Sequence, residues 1–487
     1  MRLIHTLSAN SFKKNRTWPI FLLKSLIITG SLLFAQTSFA QKNSEKGLMQ
    51  VGVARIDITP KGPILLAGYG ERKSESEGVL QPLSAKAIAF GSDAQGVSVL
   101  ITVDLIGIQW YMTKEVGKRL SKKMGLDPKQ LVICAAHTHS GPEIGNLLNH
   151  FSRQLPPEEI GHIDQYLEEL TNNLEKVALD AIHSRKLSRV EWGQGKASFA
   201  MNRRKVVNGK SVNMSAVPEG PVDNALPLLK ISDPDGKLRS VLVSYACHGT
   251  TLGGDVNKIH GDWIGEAQRI IEERNPGAIA LVSLGCGADA NPEPRLKMEY
   301  ATQHGAQIAD EVDRLLATKL QPVSKPPVGR LKMIELPYHH VPTIQEFVEQ
   351  TSATGSKGYF AKLALDKIAR GETIPASLPY PVQTWTFGKD LAMIFLAGEV
   401  VVDYSLRLKK ELGANKLWVH AYSNDVPCYI ASRRVIQEGG YEVDYSMYSY
   451  NRPSRFSEGI EELIITAVYD LLPAAYKLKA KNIGTAH

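Results

Sequence analysis

From residue 49 onward, short apolar runs rich in β-branched residues alternate with longer stretches of helical periodicity. "KAIAFGSDAQGVSVLITVDLIGI" predicts a hairpin of two buried strands around a glycine-containing turn. "TKEVGKRLSKKMG" predicts an amphipathic helix, "LVICAA" a short buried strand and "DQYLEELTNNLEKVALDAIHS" a long helix. "RVEWGQGKASFA", "LPLLKISD" and "LRSVLVSYACH" then predict strands, "GEAQRIIEER" a helix, and "AIALVSLG" another strand. After the helix "HGAQIADEVDRLLATKL" comes a Pro-rich crossing at 321–327, then the strands "LAMIFLAGE" and "KLWVHAY", each followed by a helix. This alternation argues an α/β fold of mixed buried sheets flanked by helices. No internal repeat is visible. The crossing is the only candidate boundary and is taken as a surface connection, so residues 49–475 are expected to form one large domain.

The two ends differ from this pattern. Residues 1–40 have a basic start (Arg2, Lys13, Lys14, Arg16), a short apolar core near "SLIITGSLLFA" and a small-x-small ending before Gln41. That is the layout of a secretory signal rather than a lasting span. The expectation is export to a periplasm or beyond the cell, with cleavage near Ala40, a polar linker at 41–48, and a short tail at 476–487. Losing the five basic residues of 1–40 lowers the formal charge from +7 to +2. No dense basic stripe then remains, and a nucleic-acid partner is unsupported. Four cysteines (Cys134, Cys247, Cys286, Cys428) permit disulfides in an exported chain, but none has the C-x-x-C spacing of a structural zinc cluster. Small apolar residues packed near a site is the blander reading of them.

Candidate chemistry gathers at predicted strand ends. "AAHTHSGPE" places His137 and His139 two residues apart, so in an extended segment both imidazoles leave the same face. Alone, such a pair is as well explained by a capping or core-edge role. "LVSYACHGTTLGG" ends a second strand with His248 and "HGDWIGEA" brings His260 and Asp262 to a helix start. "LVSLGCGADANP" places Asp289 and Asn291 in a turn, and "IFLAGEVV" ends a strand at Glu399, which a helix cap would also explain. Strand ends carrying His, Asp and Glu point to a pocket beyond the carboxyl edge of a sheet.

These segments resemble, in order, the motifs of the neutral/alkaline non-lysosomal ceramidase family. "HTHSGPE" resembles its His-Thr-His-Ser-Gly-Pro signature. "VGVARIDITP" with "LAGYG", "MNRR", "HGDWIG", "GADANP", "AGEVV" and "SNDVPCYIASRRVIQEGGYE" resemble its other elements across about residues 50–450. The resemblance implies a zinc amidase that cleaves the N-acyl bond of ceramide into a fatty acid and sphingosine. It implies Zn²⁺ held by His137, His248, Glu399 and Tyr429. It also implies a catalytic His139 facing the scissile amide, with Arg203 and Tyr441 near the substrate carbonyl. In that chemistry zinc lowers the pKa of water to about 7 and polarises the amide, His139 moves a proton to the leaving amine, and Arg203 and Tyr441 stabilise the oxyanion.

Three departures from the family pattern bear on substrate. Asn291 stands where ceramidases carry Ser, so no serine nucleophile is implied. Glu143 stands where they usually carry glycine, which predicts a charge near the substrate entrance. The chain ends 45 residues after the last motif, where ceramidases proper continue into an immunoglobulin-like domain. The expected function is an exported zinc amidohydrolase of ceramide or a related N-acyl lipid, with peripheral contact to membrane lipid and an apolar groove near "EIGNLLNHF" or "SMYSY". The alternatives are a zinc hydrolase of this fold acting on another ester, glycan or amide, and a non-catalytic binding protein on the same scaffold.

Overall fold

A computed structural model describes residues 47–145 and 155–477. The expected leader, most of the linker, the last ten residues and residues 146–151 of "EIGNLLNHF" lie outside the described residues.

The main sheet has nine strands. Its path runs β10-β9-β8-β5-β1-β2-β3-β4, and a two-residue strand, β12 (Gln321–Pro322), pairs with β5. In chain order these are β1 (Leu48–Asp57), β2 (Ser84–Phe90), β3 (Ser98–Val103), β4 (Leu131–Ala135), β5 (Lys186–Lys196), β8 (Ala225–Ser232), β9 (Leu238–Tyr245) and β10 (Ile279–Leu284). Within this sheet, among the described residues, only the pairs β3/β4 and β9/β10 are parallel. A hairpin, β6 (Ala200–Val207) and β7 (Lys210–Val217), forms a small sheet with β11 (Ala290–Pro292). A four-stranded sheet follows, in the order β13 (Val328–Pro337), β14 (Ser377–Phe387), β15 (Leu391–Leu396), β17 (Leu417–His420).

The strands are apolar throughout because both of their faces are covered. Along β2, Ala85, Ala87 and Ala89 enter one core while Ile88 and Phe90 enter the other. The second core joins the two sheets: Leu100, Val132 and Leu242 of the main sheet meet Trp385, Phe395 and Trp418 of the smaller one. On the outer face of the main sheet lie α1 (Trp110–Met124), α2 (Pro157–His183), α3 (Asp262–Arg274) and α4 (Met298–Leu316), with Val116, Leu174, Ile264 and Ile308 all fully buried. Such a strand shows no polar alternation, which is why an apolar run bounded by turns is its sequence signature.

The Pro-rich crossing is packed in place: Val323 is fully buried in the second core, and its N–H bonds Val190 O at 2.8 Å. Strand β14 has no counterpart among the elements predicted from sequence, and it contains Pro379 and Pro381, residues uncommon in a central strand. Its pairing with β15 begins only at Val382, so both prolines lie where β14 has a neighbour on one side only. Tyr476, assigned by sequence to the tail, is buried and donates its hydroxyl to Leu391 O at 2.9 Å. All four cysteines are buried free thiols. Among the described residues no helix is long and apolar enough to cross a membrane.

His420 is enclosed between the sheets, stacked on Phe395 and Trp418 with ring centroids 4.8 Å away in each case. Burial lowers its pKa from 6.5 to about 3. Between those values the unfolded chain binds a proton that the folded chain does not, so stability falls as pH drops through this window. The slope from one such group is at most about 1.4 kcal/mol per pH unit. His420→Phe keeps a ring in place and removes the titration. Urea unfolding between pH 7 and 4 is expected to show a shallower acid-side loss in the variant; parallel profiles would contradict this.

Candidate metal centre

Three strands of the two sheets end at one place. The chain leaves β4 for His137 and His139, β9 for His248, and β15 for Glu399. Glu399–Val400 form β16, which pairs in parallel with β18 (Tyr429–Ile430) and sets Glu399 beside Tyr429. Gly398 makes that pairing feasible: its φ is +80°, and a Cβ there would sit 2.7 Å from Cys428 O.

His137 and His139 converge by a route different from the expected one. The segment is not a continued strand, because His137 has φ 55°. This left-handed kink, unusual outside glycine, turns the chain so that the two Nε2 atoms lie 3.2 Å apart. The kink is pinned by Thr138, which bridges Gly249 and donates its hydroxyl to His260 O at 2.8 Å. Asp262 ties down the loop after His248 by accepting from the N–H groups of Thr251 (3.1 Å) and Leu252 (2.9 Å). Asp289 accepts from Val402 N at 2.9 Å, which anchors the helix start just after Glu399. His260, Asp262 and Asp289 are therefore positioning residues.

The donor atoms form a tight cluster. His137 Nε2 and His248 Nε2 each lie 3.1 Å from Glu399 Oε2, and Tyr429 Oη is 3.4 Å from His248 Nε2. His137, His139 and His248 form a group whose ligand atoms all lie within 4.8 Å of one another. His137 and His248 are fully buried, with Glu399 and Tyr429 nearly so.

Hydrogen bonding fixes which lone pairs face inward. His137 Nδ1 is 2.6 Å from Ile106 O, and His248 Nδ1 is 2.9 Å from Gly287 O. A carbonyl only accepts, so both Nδ1 atoms carry a proton, and Nε2 is the atom each ring has left to offer a cation. Both Nε2 atoms aim at Glu399 Oε2, which accepts no hydrogen bond. Glu399 Oε1 is taken by the Tyr450 hydroxyl. Burial lowers the His248 pKa to about 4, helped by the Arg203 charge, so a second proton is not the remedy. Burial opposes ionisation of Glu399 too, and it is positive charge on the His137 and His248 side of the carboxyl that holds its pKa well below the ordinary range. Lone pairs facing an ionised carboxylate without a proton between them fit a cation, and imidazole with carboxylate is the donor chemistry of zinc.

His139 differs from the other two histidines. It lines a cavity of about 420 Å³ with Arg203, Tyr429 and Tyr441, and its Nδ1 has no partner. Burial and the neighbouring His137 and His248 keep its pKa well below 6.5. Arg203 is held at three points, donating to Glu442 Oε1 (3.0 Å), Asn291 Oδ1 (3.1 Å) and Tyr429 Oη (3.0 Å). Tyr441 is 37% exposed and stands edge-on to Tyr429 at 5.6 Å. Glu143, expected as a charge at the entrance, is buried, and burial pushes its pKa up to about 8, so it is mainly neutral at pH 7.

Sequence reasoning overlooked Tyr450 and Glu442. Glu442 lay inside a quoted motif, next to the residue that was chosen. Tyr450 carried no signal beyond a place in an aromatic run. A further constraint is Gly68 of "LAGYG": its φ is +100°, and a Cβ would lie 2.4 Å from His139 Nδ1. Gly68→Ala is therefore expected to displace His139 while leaving the three buried donors in place. Metal bound per chain should be unchanged and turnover should fall at least tenfold; unchanged turnover would show that the His139 ring position is unimportant.

Comparison with known proteins bears on the fold and on residues 49–283. No curated protein matches the chain by sequence. A crystal structure of neutral ceramidase from Pseudomonas aeruginosa superposes with a TM-score of 0.67 at 16% identity, covering 87% of this chain and 74% of that one. A structure described as a ceramidase complexed with C2 gives 0.68 at 15% identity, with the same coverage. At these identities the likeness shows the fold. The family model described as neutral/alkaline non-lysosomal ceramidase, N-terminal, matches residues 49–283, which include His137, His139, Arg203 and His248. Residues 49–283 are thus identified as a neutral/alkaline non-lysosomal ceramidase N-terminal domain, which carries a cluster of three histidines, His137 and His248 buried and His139 partly so.

Proposed function

We propose that the protein is an exported zinc-dependent hydrolase that cleaves the N-acyl amide of ceramide or a related lipid. The observation that carries the reading is the inward-facing donor set: two Nε2 lone pairs and an unpartnered carboxylate oxygen about 3 Å apart in a buried site. His137, His248 and Glu399 would hold the ion, with Tyr429 alongside. Metal-bound histidines almost always donate their second ring N–H to a fixed acceptor, as His137 and His248 do to carbonyls. His139 lacks such an acceptor and faces the cavity, which supports a proton-transfer role. Bound zinc would supply Lewis acidity and lower the pKa of water to about 7.

The chain's own groups complete the chemistry. His139, neutral at rest, accepts the proton of the attacking water and gives it to the leaving amine. Arg203, locked by Glu442, Asn291 and Tyr429, keeps a fixed positive charge beside the position of the developing oxyanion. Tyr441 at the cavity wall offers a second donor. The basic, apolar and small-residue layout of residues 1–40 supports export.

A second reading keeps the metal and changes the substrate. The cavity wall carries Glu71, Glu293, Arg295, Asn202 and Thr250 beside Met201 and Met214, and so much polar surface favours a polar acyl acceptor: an ester, a glycan or another amide. Turnover of an N-acyl sphingoid amide, an N-acyl amino acid and an acylated sugar, each with and without chelator, separates the readings. The lipid amide is expected to be hydrolysed fastest, and a preference for either polar substrate would move the assignment to the second reading.

Substitution of the donors tests the residue roles. His137→Ala and His248→Ala are expected to lose bound zinc and activity together. His139→Ala should keep about one zinc per chain by elemental analysis while turnover falls about 10²–10⁴-fold. Loss of zinc from that variant would make His139 a ligand.

A further inference from the structure

A second cavity, of about 660 Å³, opens beside α1 and shares no residue with the cavity of the metal centre. Its walls are apolar: Trp110 and Gly117 of α1 face Leu131 at the start of β4 and Leu331 of β13. Its floor includes two amides, Gln383 and Asn424, which are 1% and 2% exposed. Their polar atoms are turned on protein groups. Gln383 Nε2 donates to Lys129 O (2.8 Å) and Leu131 O (3.0 Å), Asn424 Nδ2 donates to Gln383 Oε1 (2.7 Å), and Asn424 Oδ1 accepts from Ile133 N (2.9 Å). With those bonds made, the floor asks nothing polar of an occupant, and a hydrocarbon can lie on it without stranding a hydrogen-bonding group. A small-molecule site is of this size and kind: apolar walls, few polar groups, some hundreds of Å³.

The rim has the opposite character. Lys114, Lys118 and Lys122 follow one another at i, i+4 and i+8, which stacks them along one side of α1. The nearby acids are committed elsewhere. Glu115 pairs with Arg119 at 2.8 Å, and Glu175 with Lys123 at 2.6 Å. Among the described residues no carboxylate pairs with Lys114, Lys118 or Lys122. Gly117 sits between them on the cavity side. A Cβ there would meet only Leu131 Cδ2, at an ordinary 3.6 Å, so no contact forces glycine at this helical position. Glycine in a helix interior is destabilising relative to alanine, and here its effect is to leave the cavity open.

We propose that this cavity binds a long-chain alkyl carboxylate, its tail between α1 and the Leu131–Leu331 wall and its carboxylate among Lys114, Lys118 and Lys122. A tail alone would make no use of the three rim cations, and an anion alone would leave the apolar walls in water. A single-chain anionic amphiphile satisfies both. The site stands on its own residues and does not depend on the hydrolytic reading of the metal centre.

Calorimetric titration of the full protein with dodecanoate, below its micellar concentration, is the direct test. Saturable binding of one dodecanoate per chain is expected, at least tenfold tighter than dodecyltrimethylammonium, which has the same tail and the opposite charge. Gly117→Leu, which fills the cavity, is expected to abolish binding. The triple variant Lys114→Gln, Lys118→Gln, Lys122→Gln changes only exposed side chains and is expected to weaken binding at least tenfold. His137→Ala should bind dodecanoate as the native chain does, which separates this site from the metal centre. Absence of saturable binding, equal affinity for the two amphiphiles, or native affinity in the folded triple variant would overturn the proposal.

Discussion

Two imidazole nitrogens and a carboxylate oxygen, about 3 Å apart and with no hydrogen between them, are the constraint around which this molecule is organised. In a buried site such an arrangement is repulsive unless a positive charge lies among the lone pairs. The carbonyls of Ile106 and Gly287 impose it, because each takes the Nδ1 proton of its histidine and turns Nε2 toward the carboxylate. Tyr450 does the same for the carboxylate, engaging one oxygen and leaving the other free. The surrounding shell defines the site by deciding where protons cannot be.

The fold supplies this geometry because parallel neighbours end together. β4 beside β3, β10 beside β9 and β17 beside β15 all release their chains toward the same edge. Loops there are short and heavily pinned, and the pinning falls to Asp262, Asp289 and Thr138 rather than to the donors themselves. Arg203 reaches the site from the small hairpin sheet, and its three anchors restrict the guanidinium to one orientation. A donor held in that way can stabilise charge as it develops without reorganising.

Much of the architecture was legible in the sequence. Buried strands such as "LVICAA" and "LAMIFLAGE" announce themselves by unbroken apolar runs, and long helices such as "DQYLEELTNNLEKVALDAIHS" by their period. β14 was hidden because its two prolines are tolerated only through a half-paired edge that no local pattern reveals. The convergence of residues 137, 248, 399 and 429 came from ordered motifs, whereas the kink at His137 depends on contacts with the 248–252 loop, over a hundred residues away. Tyr450 and the partnerless Nδ1 of His139 are purely tertiary facts. Glu143 shows the same limit from the other side: a glutamate in the sequence looks charged, and only its burial keeps it neutral.

The most direct measurement is anomalous diffraction from crystals of the purified protein, collected on both sides of the zinc absorption edge. The account predicts one strong peak, present only above the edge, within about 2.0–2.2 Å of His137 Nε2, His248 Nε2 and a Glu399 oxygen. A native crystal with no peak there, or with its zinc bound away from these three side chains, would contradict it.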